Sequence, residues 1–186
     1  MAEDPLAELA DLAVRLGSHC RARGVRLATV ESCTGGLVSH LITEVPGSSA
    51  YFVGGFVTYS DALKRESVGV PAEVLAAHGA VSAQVAMAMA TGGRDRTGAD
   101  LAVSVTGIAG PDGGSPSKPV GLTYVAVADG AGVEVRRYVW DGDRAENKRR
   151  SAAAALELLL ERVEASGAAP SPEPAEPAHA SGTDRP

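Results

Sequence analysis

The chain has 186 residues, of which 45% are hydrophobic and 22% are charged, and its formal net charge at pH 7 is −6. This length is sufficient for one domain with a substantial core. The acidic balance argues against a nucleic-acid-binding surface, because such surfaces neutralise phosphates with clustered Lys and Arg. No apolar run approaches the roughly 20 residues that span a bilayer, and Met1 is followed by acidic residues rather than by a basic region. We therefore expect a cytoplasmic protein with neither nucleic acid nor membrane as a partner.

The cysteines and histidines do not indicate a metal site. Cys20 and Cys33 are too few for a disulfide framework or a structural zinc site. The four histidines also lack the spacing of metal ligands or of a catalytic triad. We therefore expect two free thiols, no metal and no organic cofactor.

Helices and strands alternate along most of the chain, as apolar periodicity and turn residues show. The predicted helices cover residues 5–23, 36–45, 60–68, 71–78, 82–97 and 144–165, with Asp4 and Ser82 as N-caps of the first and fifth, and the predicted strands cover residues 25–30, 51–59, 101–105, 121–128 and 133–140.

The order of these elements predicts an α/β fold. Strand, loop, helix and strand follow one another in the first half, which favours parallel pairing, whereas the last two strands flank a turn at 129–132 and predict a hairpin. We expect a three-layer α/β/α sandwich with a mixed, mostly parallel sheet, formed by residues 1–165. Residues 166–186 are rich in Pro, Ala and Glu without apolar periodicity, which predicts a disordered tail.

The segment from Val30 to Gly36 joins a predicted strand to a predicted helix and carries a hydroxyl, Ser32, at the turn. The first N–H groups of a helix are unpaired and the helix dipole is positive there, so a developing oxyanion is stabilised. Ser32 is therefore a candidate nucleophile. Taken alone, a Ser/Thr/Gly cluster before a helix is more commonly ordinary capping chemistry, and Cys33 is an alternative nucleophile.

Lys64 is the candidate base for Ser32, since serine is a weak nucleophile without one. Lysine serves as a base where burial or a nearby cation lowers its pKa. The alternative is a solvated helix residue, because Arg65 and Glu66 follow it and lysines are mostly exposed.

A glycine-rich loop over residues 106–120 follows the third predicted strand. Its glycines permit close approach of backbone N–H groups to a ligand such as phosphate, and Lys118 is a further candidate phosphate contact. Loops at the carboxyl ends of strands form the ligand crevice of an open α/β sheet, so this loop and the Ser32 turn are expected to converge. A flexible crossover loop is the alternative. Neither a Walker pattern nor a dinucleotide fingerprint is present.

Several blocks of this sequence together resemble one known family. The blocks are Glu31-Ser32-Cys33-Thr34-Gly35-Gly36, Tyr59-Ser60 with Lys64, residues 78–82, residues 106–114, residues 118–121 and Gly142-Asp143-Arg144. In this order they resemble the CinA C-terminal domain, the nicotinamide mononucleotide deamidase family, from about Leu6 to Leu160. The chain departs from the family pattern at Asp61, where Asn is common, and at Tyr124, where Trp is common.

The resemblance implies a serine amidohydrolase that converts nicotinamide mononucleotide to nicotinic acid mononucleotide and ammonia. It assigns Ser32 as the nucleophile, Lys64 as the general base, and Tyr59 and Thr106 as residues of the same site. Many family members carry a further N-terminal domain that resembles molybdopterin-binding proteins, and we expect these 186 residues not to include one. The residues expected to bind substrate are Cys33, Thr34, Gly35, Gly36, Gly107, Gly110, Gly113, Gly114 and Arg144.

The expected partner is thus a small molecule, and the expected assembly is a homo-oligomer, a dimer. Arg144 has a second interpretation as a helix-start ion pair with Asp143. Two further functions stay open: a noncatalytic nucleotide- or partner-binding module of the same fold, and a deamidase that acts on a different amide.

Overall fold

The computed structural model describes residues 7–165, and the predicted alternation of helices and strands is confirmed there. The helices are α1 (Ala7–Arg23), α2 (Leu37–Thr43), α3 (Asp61–Val68), α4 (Ala72–His78), α5 (Ala83–Thr97) and α6 (Arg144–Ala165), and the strands are β1 (Leu27–Glu31), β2 (Phe52–Val57), β3 (Leu101–Gly107), β4 (Leu122–Asp129) and β5 (Gly132–Val139). A short 3-10 turn, Ser48–Ala50, was not predicted. Ser82 caps α5 as expected, whereas Asp4 and residues 166–186 lie outside the described residues.

The strands form one mixed sheet in the order β2-β1-β3-β4-β5. Strand β1 pairs in parallel with β2 and β3, and β4 pairs antiparallel with β3 and β5. The mixed sheet is confirmed, but the expectation of a mostly parallel one is wrong, since two of the four pairings are antiparallel. A parallel β4 would need a crossover, usually a helix, whereas residues 108–121 form a loop that returns the chain at the same edge.

The helices cover both faces of this sheet, as the three-layer prediction requires. Side chains alternate along β3, so that Val103 and Val105 join the core formed with α1, α2 and α6. Ser104 points to the other face, where its hydroxyl donates to Ala86 O of α5 at 2.6 Å. Within residues 7–165 no helix is long and apolar enough to cross a membrane.

Helix α5 lies unusually close to its neighbours because it carries two adjacent glycines. A Cβ at Gly93 would overlap Val30 Cγ2 of β1, and one at Gly92 would overlap the Val68 carbonyl oxygen of α3. Because a glycine side chain is a single hydrogen atom, Gly92 and Gly93 allow α5 to approach α3 and β1 closely. Strand β1 leads directly into Ser32, and α3 contains Lys64.

Candidate active site

Ser32 follows the last residue of β1, at the carboxyl edge of the parallel part of the sheet. Its N–H donates to Val105 O of the neighbouring β3 at 2.9 Å, which extends the parallel pairing by one residue. The residue is 8% exposed, so its hydroxyl is largely shielded from solvent. The strand thus holds the candidate nucleophile on a rigid element.

Lys64 points inward from α3 and meets Ser32. Its Nζ lies 3.2 Å from Ser32 Oγ and donates to Thr58 O at 2.8 Å, and the side chain is 1% exposed. Helix α3 is held in place by Ser60, whose hydroxyl accepts from Leu63 N at 3.2 Å. The interpretation of Lys64 as a solvated helix residue is therefore wrong.

The surroundings of Lys64 favour its neutral form. Burial lowers the pKa of its amine below the usual 10.5, and the negative charge of Asp61 opposes this shift. In residues 7–165 no carboxylate lies within 4.0 Å of the amine. A neutral amine that donates to Thr58 O can direct its lone pair at Ser32 Oγ, which is the geometry that a general base requires.

Glu31 was not predicted as a residue of the site. Its side chain occupies the N-terminus of α2, which the sequence had suggested as an anion site. Its buried carboxylate accepts from the N–H groups of Gly36, Val38 and Ser39 at 2.8–3.1 Å, and from Ser39 Oγ at 2.8 Å. The carboxylate therefore closes the N-terminus of α2 to any other anion. The sequence signal was a carboxylate directly after the predicted strand 25–30; the structure includes Glu31 in the fully buried β1, where a charge needs such partners.

The N–H groups available for an oxyanion are therefore fewer than expected. Gly35 N donates to Ser32 O at 3.1 Å and Gly36 N donates to Glu31, so neither is free. In the described part of the chain, the N–H groups of Cys33 and Thr34 donate to no oxygen. Thr34 is fully buried, whereas Cys33 is 7% exposed, so the Cys33 N–H is the candidate donor to a tetrahedral oxyanion formed beside Ser32.

Cys33 does not have the properties of a nucleophile. Burial raises the pKa of its thiol to about 12, and its own backbone N–H, together with the charges of Lys148 and Lys64, only partly opposes this shift. The thiol therefore stays protonated near neutral pH. Both Cys20 and Cys33 are free, as predicted.

A cleft of about 270 Å³ opens over Ser32 and gathers most of the predicted residues. Ala80, Val81 and Ile108 form an apolar wall of the cleft, and Asp112 adds a carboxylate to its lining. None of these four was predicted as a site residue. The predicted residues that line the cleft are Ser32, Cys33, Tyr59, Lys64, Thr106, Gly107, Gly110, Gly113 and Arg144, whereas Thr34, Gly35, Gly36 and Gly114 do not line it.

The glycine-rich loop after β3 is tied down on both sides of the cleft. On one side Thr106 Oγ1 donates to Ala80 O at 2.8 Å, and Lys118 Nζ donates to His78 O at 2.6 Å. On the other side Arg144 donates to Gly110 O at 2.7 Å, and the buried Asn147 donates to Ala109 O at 3.1 Å. These four bonds argue against a flexible crossover loop. Thr106 and Lys118 thus connect this region to the backbone of Ala80 and His78.

Arg144 and Tyr59 form the rim of the cleft. The second guanidinium nitrogen of Arg144 lies 3.4 Å from Tyr59 Oη, and Tyr59 is 63% exposed. Asp143 caps α6 by accepting from Glu146 N at 2.8 Å. In the described residues it makes no ion pair with Arg144, so the interpretation as a helix-start ion pair is wrong. Residues 7–165 also contain no group of three His, Cys, Asp or Glu that could hold a metal.

Comparison with known proteins identifies the family. The model of the CinA C-terminal domain matches residues 9–163. The chain belongs to the CinA C-terminal domain family. The resemblance inferred from the sequence blocks is thereby confirmed.

Two relatives of this CinA C-terminal domain differ greatly in length. The CinA-like protein of Geobacter sulfurreducens is 53% identical over 143 residues, which are 77% of this chain and 35% of that protein. The chain thus spans about a third of that relative. The nicotinamide-nucleotide amidohydrolase PncC of Pseudomonas putida is 48% identical over 158 residues, which are 85% of this chain and 97% of that protein.

Solved structures of the CinA superfamily share the fold. The competence/damage inducible protein CihA from Agrobacterium tumefaciens superposes with a TM-score of 0.80 at 42% identity, over 83% of this chain and 95% of that chain. The competence damage-inducible protein A from Klebsiella pneumoniae gives a TM-score of 0.81 at 34% identity, over 84% and 98%.

The two departures from the family pattern lie at different distances from the chemistry of this CinA C-terminal domain. Asp61 begins α3, and its charge raises the pKa of Lys64. Tyr124 lies on β4 opposite Thr106, is half-buried beside α5, and does not line the cleft. Only Asp61 therefore acts on the candidate base.

Proposed function

We propose that this chain is a nicotinamide-nucleotide amidohydrolase that converts nicotinamide mononucleotide to nicotinic acid mononucleotide and ammonia. The observation that carries the proposal is the buried contact of 3.2 Å between Lys64 Nζ and Ser32 Oγ. The Pseudomonas putida relative, which bears the name of this activity and matches over almost its whole length, supports the choice of substrate.

Acylation begins when neutral Lys64 accepts the proton of Ser32 Oγ. The oxygen attacks the carboxamide carbon of the pyridinium ring, and the N–H group of Cys33, which lines the cleft, stabilises the oxyanion. The Lys64 ammonium then gives its proton to the amide nitrogen, the C–N bond breaks and ammonia leaves. An acyl-enzyme ester on Ser32 remains.

Deacylation repeats these roles with water as the nucleophile. Lys64, neutral again, takes a proton from a water molecule, which attacks the ester carbonyl within reach of the same Cys33 N–H group. The second tetrahedral intermediate collapses, and the proton on Lys64 returns to Ser32 Oγ. The product is nicotinic acid mononucleotide.

The cleft walls suit the proposed substrate. The apolar surface of Ala80, Val81 and Ile108 offers contact for a flat ring beside Ser32. Tyr59 and Arg144 lie at the rim, where the ribose and phosphate would extend. Binding energy from these remote groups can position the amide near Ser32.

The test measures ammonia release and the nucleotide product with purified protein, using nicotinamide mononucleotide and a panel of other amides. Ser32→Ala should lower kcat by at least about 10³-fold, because the nucleophile is lost while the fold is kept. Cys33→Ala, the matched control at the next residue, should retain most activity. An active Ser32→Ala variant would refute the assignment.

Two results would favour the other functions. Wild type that binds nucleotides but releases no ammonia from any amide would indicate a noncatalytic module. Wild type that acts only on an amide lacking the nucleotide would indicate a different deamidase. The cytoplasmic location and the homodimer stay predictions.

A further inference from the structure

We propose that Arg144 and Lys148 of α6 form the subsite that binds the phosphate of the substrate, an organic phosphate monoester. The inference rests on the proposed function for the identity of the ligand. Lys148 was not among the residues expected to bind substrate.

The two cations lie on the same face of α6. Residues four apart on a helix are neighbours, so both side chains project from the first two turns toward the site. Arg144 reaches the rim of the cleft through Gly110 O and Tyr59 Oη. Lys148 Nζ lies 3.7 Å from the position that a Cβ at Gly35 would occupy. Lys148 therefore borders the turn that follows Ser32.

In the part of the chain that the structure describes, neither cation is paired with a carboxylate. Arg150, further along α6, pairs with Asp141 and Glu146, and Arg162 pairs with Asp129. In contrast, within residues 7–165 no carboxylate lies within 4.0 Å of Arg144 or Lys148. The Arg144 guanidinium donates to a carbonyl oxygen and to a phenol oxygen. Two unpaired cations beside a cleft of an acidic protein attract a dianion.

The N-terminus of α2, the other candidate site for a phosphate, is already occupied by a carboxylate. A helix N-terminus beside a glycine-rich turn is a ready anion site, and α2 provides one directly after Ser32. The Glu31 carboxylate already occupies its N–H groups at Gly36, Val38 and Ser39. A phosphate there would face a buried negative charge. The cations of α6 are the groups near the turn that remain available.

The test compares nicotinamide mononucleotide with its riboside, which lacks the phosphate. In the Lys148→Met variant, the ratio of the two kcat/KM values, mononucleotide over riboside, should fall about 10- to 100-fold, because a charge-assisted contact to phosphate is lost. Lys148→Arg should restore most of the ratio. Arg149→Met, the matched control with the same charge change at the adjacent position, should leave the ratio at the wild-type value. An unchanged ratio in Lys148→Met would overturn the proposal.

A binding measurement separates this inference from the proposed reaction. In a Ser32→Ala background, calorimetry with the mononucleotide and the riboside reports the phosphate contact without turnover. Lys148→Met should weaken binding of the mononucleotide selectively, even if the wild-type protein releases no ammonia. Equal weakening for both ligands, or for Arg149→Met as well, would overturn the subsite whether or not the wild type is an amidohydrolase.

Discussion

Lys64 can accept a proton only while its amine is neutral, so its pKa sets the pH range of the proposed reaction. A lysine pKa that is lowered by burial increases the neutral fraction at every pH below the usual pKa of 10.5. We therefore expect kcat/KM to rise along an alkaline limb whose midpoint lies below 10.5. Lys64→Arg keeps the positive charge but offers no neutral base, so its kcat should be as low as that of Lys64→Ala.

Two further variants of α3 test the same assignment of Lys64 as the base. Asp61→Asn removes the charge that raises the pKa of Lys64, so the alkaline limb should move to lower pH. Arg65→Ala, which changes the exposed neighbour in α3, should retain activity. If Lys64→Arg turned over at a rate near wild type, lysine would not be the base.

Glu31 is a positioning residue in this site, since it shapes the Ser32 turn without touching the reacting atoms. Glu31→Gln keeps one acceptor oxygen but sets an NH₂ group against N–H donors of α2. We expect kcat to fall about 10-fold or more with little change in KM, and stability to fall by about 1–3 kcal/mol. Steady-state kinetics and urea denaturation measure the two effects.

Ser39→Ala is the matched control for Glu31→Gln. It removes the hydroxyl that donates to Glu31 at 2.8 Å and leaves the three backbone bonds in place. Its effect on kcat should therefore be smaller. A Glu31→Gln protein that loses stability but keeps the wild-type kcat would show that the carboxylate has a purely structural role.

At the scale of elements, the approach of α5 to its neighbours decides how β1 and α3 meet. In a free helix, Gly92→Ala would stabilise by about 1 kcal/mol through helix propensity. Here the new methyl overlaps the Val68 carbonyl oxygen, so α5 and α3 must separate. We expect a net loss of about 1–3 kcal/mol in the free energy of unfolding, measured in urea.

The adjacent exposed position provides the comparison for Gly92. Thr91→Ala makes a similar change in propensity without a new contact and should be neutral or slightly stabilising. Because α3 carries Lys64, Gly92→Ala should also lower kcat. Stabilisation by Gly92→Ala would mean that the two helices tolerate a wider spacing.

At the scale of the molecule, the site is assembled at one edge of the sheet from parts that are distant in the chain. Ser32 directly follows β1, Lys64 comes from α3, the glycine-rich loop follows β3, and Arg144 begins α6. Parallel strands bring their carboxyl ends to a common edge, which is why these loops converge. The β4–β5 hairpin extends the sheet on the opposite side, and none of the cleft-lining residues comes from it.

Local chemistry was enough to predict the elements and to mark Ser32 as the candidate nucleophile. Ser82 before an apolar helical pattern marked the start of α5, the turn at 129–132 marked the hairpin, and the hydroxyl between strand and helix marked Ser32. These features depend on residues close together in the chain, where propensity, capping and turn geometry act. The order of the sequence blocks was likewise enough to identify the family.

Tertiary structure decided what depends on residues far apart in the chain. Helical periodicity did not distinguish buried Lys64 from its exposed neighbour Arg65, because the difference arises from the packing of α3 against β1 and α5. The closing of the α2 N-terminus by Glu31 and the direction of β4 were also missed. Burial, pKa and anion access are set by neighbours that only the folded chain brings together, so the sequence named candidate groups while the fold determined their burial and their contacts.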